Sequence, residues 1–241
     1  MLALLIIISC ISFMNALCPE ENCPLPRDCK DWYDLGVRKS CVYPIYLEDN
    51  ETMIKVYCDM ETAGGGWTVI QRRMDGSLDF NRYWYEYENG FGNVTGEFWL
   101  GLNYIAKLSS NCRTTLRVEL EDFEEDRRHA EYSYFYVSTY RYQLSIGGYS
   151  GTAGDSLYGG SYNTRHNRMY FSTRDCDYDR YYSSCARVHR SGWWFNRCMQ
   201  SNLNAPYSEN PHVSYLRGIT WTSWKGSYYS CKGTEMKVRC R

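Results

Sequence analysis

Three aspartates, Asp175, Asp177 and Asp179, stand at every second position in a chain of 241 residues. Carboxylates held that close repel one another unless a cation, a guanidinium or water comes between them. A hard cation such as calcium gathers about six to eight oxygens from carboxylates, main-chain carbonyls and water. The run that follows, Arg180 to Ser184, carries tyrosine, serine and one arginine without a helical pattern. A loop of that kind can turn carbonyls inward to complete a shell. It is not an EF-hand: counting from Asp175, the glycine position is Arg180 and the closing glutamate position is Ala186. A solvated acidic loop is the competing reading. Beyond it, Cys185 and Cys198 could staple the next loop, which contains Trp193 and Trp194. The stretch Phe171–Tyr207 therefore reads as an oxygen-ligand calcium site, locked by a disulfide beside an aromatic recognition surface.

Other chemistries fit less well. His129, His166, His189 and His212 are scattered, and neither an HExxH nor a GxSxG motif occurs. Zinc spacings of the CxxC or HxxxH kind are missing. The chain is read as a non-enzyme. A formal net charge of -1 gives no overall electrostatic footprint for nucleic acid or for a membrane surface.

The elements that must hold the loop read as α+β, with strands and helices segregated rather than alternating. Asp28 caps a short helix running to Leu35, and Gly36 stops it. Met53–Cys58, Trp67–Arg72, Thr114–Phe123, His129–Val137, Tyr142–Ile146 and Thr234–Cys240 are predicted strands, several with clean alternation. Helices are expected over Asp79–Asn89 and around Leu102–Leu108. The charged run Glu121–Arg128 reads as a solvated turn. Glycine and serine from Gly147 to Ser161 mark a change to loop-rich chain.

The apolar run at residues 1–16 is expected to be a secretory signal peptide. A short cysteine-bearing tail at 17–27 follows, then one domain at 28–241. Twelve cysteines support an oxidising compartment. Losing Cys10 with the leader leaves an odd number, so at least one thiol is free or intermolecular. Cys18 and Cys23 are the candidates for bridges between copies, giving a disulfide-linked homo-oligomer. Asn50 and Asn93 head two glycosylation sequons.

The order FST-x-D-x-D-x-D, Cys-Ala, GWW, Cys, SNLN resembles the C-terminal part of a fibrinogen-related domain. Fibrinogen chains, ficolins, tachylectins, tenascins, angiopoietins and microfibril-associated glycoproteins share this module. The similarity extends to Tyr57-Cys58-Asp59-Met60, Gly65-Gly66-Trp67-Thr68-Val69, Gly96-Glu97-Phe98-Trp99-Leu100-Gly101 and Glu235-Met236-Lys237-Val238. It implies a fibrinogen C-terminal-like fold: a central, mostly antiparallel sheet that takes in the last strand, short helices, and a loop-rich calcium- and ligand-binding part. Disulfides Cys29–Cys58 and Cys185–Cys198 are implied, with a cis peptide at Arg197–Cys198. If the last strand returns to the sheet, Cys240 could reach Cys112. Cys176 with Cys231 is a further expected pair, leaving Cys41 over with the tail cysteines.

The resemblance also implies calcium ligands: the Asp177 and Asp179 side chains and the Tyr181 and Ser183 carbonyls, with Asp175 behind them. The ligand pocket would fall on His189, Cys198, Met199, Tyr215, Leu216 and Tyr228. Met199 stands where the family usually has histidine, Ala205 where it has glycine, and Leu216 where it has a small residue. The expected function is secreted, calcium-dependent recognition, as a lectin for acetylated glycans in innate defence. The alternative is an extracellular-matrix or receptor-binding protein that uses the same surface for protein partners, and Met199 favours that alternative. No membrane insertion is expected.

Overall fold

A computed structural model of the chain describes residues 25–47 and 52–241. The leader, the tail cysteines Cys18 and Cys23, and the sequon residue Asn50 lie outside them. Asp28 does cap the first helix, α1 (Cys29–Asp34), accepting from Asp31 N at 3.0 Å. Cys29 then bonds to Cys58 and ties α1 to the sheet. Replacing Asp28 with alanine removes this cap and is expected to cost about 1 kcal/mol in chemical denaturation.

The strands are β1 (Cys41–Tyr46), β2 (Met53–Asp59), β3 (Trp67–Arg73), β4 (Phe91–Gly92), β5 (Phe98–Trp99), β6 (Thr114–Glu121), β7 (Arg127–Val137), β8 (Leu144–Gly151) and β11 (Gly233–Cys240). Among the described residues they form one antiparallel sheet in the order β1-β2-β3-β11-β6-β7-β8, with β5 and β4 added beside β3. The last strand in sequence thus lies in the middle, placing Val238 against Leu116 and Met236 against Val118. Cys112–Cys240 closes its far end. The alternation read from the sequence holds here: Leu116, Val118, Leu120, Met236 and Val238 are all buried. Helix α3 (Leu102–Ser110) packs its Leu102, Ile105, Ala106 and Leu108 into the same core.

Four sequence readings need correction. β1 was not foreseen; it is an edge strand, where its Pro44 is tolerated. The predicted helix at 79–89 shrinks to α2 (Trp84–Asn89). Asp79 instead caps Asn81 N in a local turn, and Glu86 accepts from Tyr83 N where the helix begins. The glycine run after Gly147 is not simply loop, since β8 continues to Gly151 on the opposite edge of the sheet. Gly148 has φ +69°, and a Cβ there would stand 2.0 Å from Ser133 Oγ. Finally, the turn after β6 is not wholly solvated. Asp122 is buried, accepts from Glu124 N and Asp126 N, and pairs with Lys225 Nζ at 2.5 Å.

Cys176 and Cys231 do not pair; both are free thiols. Cys231 is sealed in the core, where burial pushes its thiol up to about 12. Cys176 sits half-buried in the acidic loop. Cys41 is not left over either: it is disulfide-bonded, to none of the other described cysteines. No helix among the described residues is long and apolar enough to cross a membrane.

Candidate functional site

The acidic loop hangs from the core at two points. Ser172 pairs with Trp193 in an antiparallel bridge, and Arg180 N donates to Asn196 O at 3.0 Å. Between these anchors Thr173 and Cys176 exchange main-chain hydrogen bonds, and Tyr178 N donates to Ser172 Oγ. The loop ends at Ser184, which caps the short helix α4 (Cys185–His189) through its side chain. Cys185 then bonds to Cys198 across the cis peptide Arg197–Cys198.

The three aspartates have different surroundings. Asp175 Oδ1 accepts from Trp84 N at 2.9 Å and from the Thr173 hydroxyl at 2.7 Å, so it fastens the loop to α2. Asp179 accepts from Tyr181 N at 2.8 Å and from Cys185 N at 2.7 Å. Asp177 accepts from Asp179 N at 3.2 Å. Burial and the neighbouring Asp177 carboxylate raise Asp179 to about 6, despite its two N–H donors. A cation between two crowded carboxylates of this kind would hold both ionised.

The donor set fits calcium. Asp177 and Asp179 stand together, and neither the Tyr181 nor the Ser183 carbonyl takes a hydrogen bond among the described residues. No cluster of three or more His, Cys, Asp or Glu side chains occurs there. Carbonyls and water would therefore supply most of the shell, as calcium accepts and zinc does not.

The tryptophans are not a recognition surface. Trp193 and Trp194 are both 0% exposed, and Trp194 packs against Phe171 with ring centroids 5.2 Å apart. Gly192 precedes them because a Cβ there would lie 2.5 Å from the Tyr87 ring. The exposed aromatics nearby are tyrosines. Tyr215 and Tyr228, at 59% and 63% exposure, form a tilted pair with centroids 5.5 Å apart.

The predicted pocket residues divide. His189 is buried, with Nδ1 3.0 Å from Leu216 O, and burial lowers its basicity. Leu216 is also buried and donates its N–H to Ser227 O, which sets Tyr215 beside Tyr228. Arg217 reaches back to the Val188 carbonyl. His189, Tyr215, Leu216 and Tyr228 are therefore brought together, and Cys198 joins them through its bond to α4. Met199 is 3% exposed and packs in the main core.

Sequence reasoning missed His166. It is fully buried, with Nδ1 2.8 Å from Trp194 O. Its Nε2 accepts from Gln200 N and Ser201 N, both at 3.2 Å. A carbonyl only accepts, so the proton sits on Nδ1. The ring clamps the segment before the cis peptide to the strand after it, β9 (Ser201–Asn202), which pairs with β10 (Thr220–Trp221). No local pattern marks a lone histidine for this role.

Residues 25–241 match the family described as fibrinogen beta and gamma chains, C-terminal globular domain. The chain belongs to the fibrinogen C-terminal domain family. Fibrinogen-like protein 1 of Mesocricetus auratus is 46% identical over 224 residues, covering 88% of this chain and 71% of that protein. Fibrinogen C domain-containing protein 1 of Xenopus tropicalis is 43% identical over 221 residues, 89% of this chain. The chain spans only 47% of that relative. Among solved structures, the fibrinogen-like globe domain of human ANGPTL2 superposes with a TM-score of 0.85 at 38% identity, covering 89% of this chain and 99% of that one. Lamprey fibrin D-dimer, complexed with the peptide ligand Gly-His-Arg-Pro-amide, gives a TM-score of 0.83 at 35% identity, covering 90% and 74% of the two chains. This fibrinogen C-terminal domain therefore has the α+β globe expected from its sequence.

Proposed function

We propose that this fibrinogen C-terminal domain is an extracellular recognition protein whose binding face is braced by calcium. The observation that carries the reading is the paired carboxylates of Asp177 and Asp179. They sit one disulfide away from the His189–Leu216 contact and the exposed Tyr215–Tyr228 pair. Asp179 spans that distance directly, since it accepts from the N–H of Cys185. An ion on the carboxylates would fix α4, and α4 fixes the face. The disulfides favour an oxidising compartment, and exposed Asn93 is proposed to carry a glycan there.

The ligand class proposed is an acetylated glycan. An acetyl group needs a small apolar cup, main-chain donors and a ring for the sugar face. Leu216, the chain around Cys198 and the two tyrosines offer those parts. A second reading is a peptide or protein ligand: Met199 lies in the core and offers the face no hydrogen-bonding side chain, which leaves the exposed Tyr215 and Tyr228 rings as its main side-chain contacts. The peptide held by the lamprey relative points the same way. Recognition is preferred to catalysis. His166 and Ser201 Oγ come within 3.3 Å, as a base and nucleophile would, but both residues are sealed from solvent. Bridges between copies through Cys18 or Cys23 would add avidity, and a non-reducing gel showing only monomer would remove that part of the proposal.

Calcium is expected to raise the melting temperature of the native chain, and Asp177→Ala is expected to abolish that rise. An unchanged rise in Asp177→Ala would show that the ion binds elsewhere. Binding to acetylated resin, with release by free N-acetylated sugar or by chelator, decides between the glycan and protein readings.

A further inference from the structure

The charges of this chain are segregated. Residues 132–224 contain nine arginines, no lysine and five acids, within a chain of net charge -1. Every ion pair among the described residues lies outside this segment. The cleft over the sheet shows the contrast. There Arg72 pairs with Glu235, Lys237 with Asp59, Arg117 with Glu119 and Arg127 with Glu121.

Three of the unpaired arginines converge. Arg174, Arg187 and Arg190, with Asn81, line a cavity of about 530 Å³. All three arginines are exposed. Arg187 Nε donates to Arg174 O at 2.8 Å, which orients its guanidinium, and Arg174 lies over the Tyr83 ring at 4.9 Å. Arg190 takes a left-handed backbone conformation at the end of α4, φ +54°. The nearby acids are engaged elsewhere. Asp175 Oδ1 serves Trp84 N and Thr173, Asp79 Oδ1 serves Asn81 N, and Glu86 pairs with Arg82.

Like charges facing one cavity repel, and none of the three arginines forms an ion pair among the described residues, so an external anion is the partner they lack. Guanidinium groups match the oxygen spacing of sulfate, phosphate and carboxylate, and several around one group favour an oxyanion with oxygens in several directions. In an oxidising, disulfide-forming compartment, the polyanions a surface meets are sulfated polysaccharides. The cavity exceeds one sulfate and has room for a sugar unit, with Asn81 for a hydroxyl and the Tyr83 ring at its side. We infer that the Arg174–Arg187–Arg190 cleft, built on the acidic loop and the end of α4, is a binding site for sulfated polysaccharide.

Immobilised heparin in about 0.15 M salt, where screening acts beyond about 8 Å, is the probe. The native full chain is expected to bind it. Arg174→Gln, Arg187→Gln and Arg190→Gln together are expected to weaken binding by at least about tenfold, since charge-assisted hydrogen bonds are lost. A comparison variant with Arg127→Gln, Arg128→Gln and Lys232→Gln carries the same charge change at ion-paired positions and is expected to bind like the native chain. Equal loss in both variants would reduce the effect to net charge and overturn the site. So would equal binding to desulfated heparin, or no binding by the native chain. The single variant Arg190→Glu, whose side chain is exposed, should show the same loss if the triple variant folds poorly. Each arm is run with calcium and with chelator. Binding that survives chelator supports this site even if the calcium-dependent reading fails; calcium-dependent binding that the three arginine changes leave unaltered would place the anion elsewhere and overturn the site.

Discussion

Glu97→Ala is expected to destabilise the chain by about 3–5 kcal/mol, the cost of leaving one partner of a buried ion pair alone. The Glu97 side chain is inaccessible, and its carboxylate accepts from four main-chain N–H groups: Met74, Asp75 and Gly76 on one oxygen, Leu78 on the other. Arg73 Nε lies 3.6 Å away, also inaccessible. Arg73 in turn donates to the carbonyls of Leu203 and Ala205 and stacks over Phe80. Removing Glu97 would strand a buried guanidinium and four donors at once. Glu97→Gln keeps an acceptor and the volume, so its loss should be intermediate. Urea denaturation monitored by tryptophan fluorescence gives the ranking. A loss below about 1 kcal/mol for the alanine variant would mean water replaces the carboxylate.

The second large effect is the contribution of His166 and its dependence on pH. Burial pushes its imidazole down to about 4, against an ordinary value of 6.5. The folded chain therefore binds the proton less readily than the unfolded chain. The contribution is fully present above about 6.5 and is lost as pH falls through about 4, a change of about 3 kcal/mol. Asp28 works in the opposite sense: burial raises its carboxyl to about 6, so folding takes up its proton and gains as pH falls from there. The native profile alone mixes the two. The difference between the native chain and His166→Gln isolates the histidine. That difference should shrink by about 3 kcal/mol between pH 7 and pH 4, measured with calcium held at saturation so that Asp179 stays ionised. A difference that is flat over this range would place the proton on a solvated ring.

What was legible from the sequence follows from the range of the interactions. β6 and β11 were readable because each strand has one buried face, and alternation reports that directly. The spacing of Asp177 and Asp179 was readable for the same reason, since their crowding is local. The glycines after Gly147 misled because glycine is penalised inside a sheet but tolerated at its edges, and a sequence does not say which strands are edges. Trp193 and Trp194 suggested a surface beside the loop, yet the chain turns there so that both rings enter the core. That turn depends on Tyr87 meeting Gly192, a contact between distant parts of the chain. The Asp175–Trp84 bond and the role of His166 are of this long-range kind, and nothing next to them in sequence announces them. Cys176 and Cys231 show that two cysteines left without partners in the sequence need not meet in the fold.

The placement of β11 has a consequence for how the molecule is made. Before that strand emerges from a ribosome, β1-β2-β3 and β6-β7-β8 are two ribbons, each with a raw inner margin of unsatisfied amides and carbonyls. Such margins readily recruit strands from other chains. Insertion of β11 covers both margins at once and brings Cys240 within reach of Cys112.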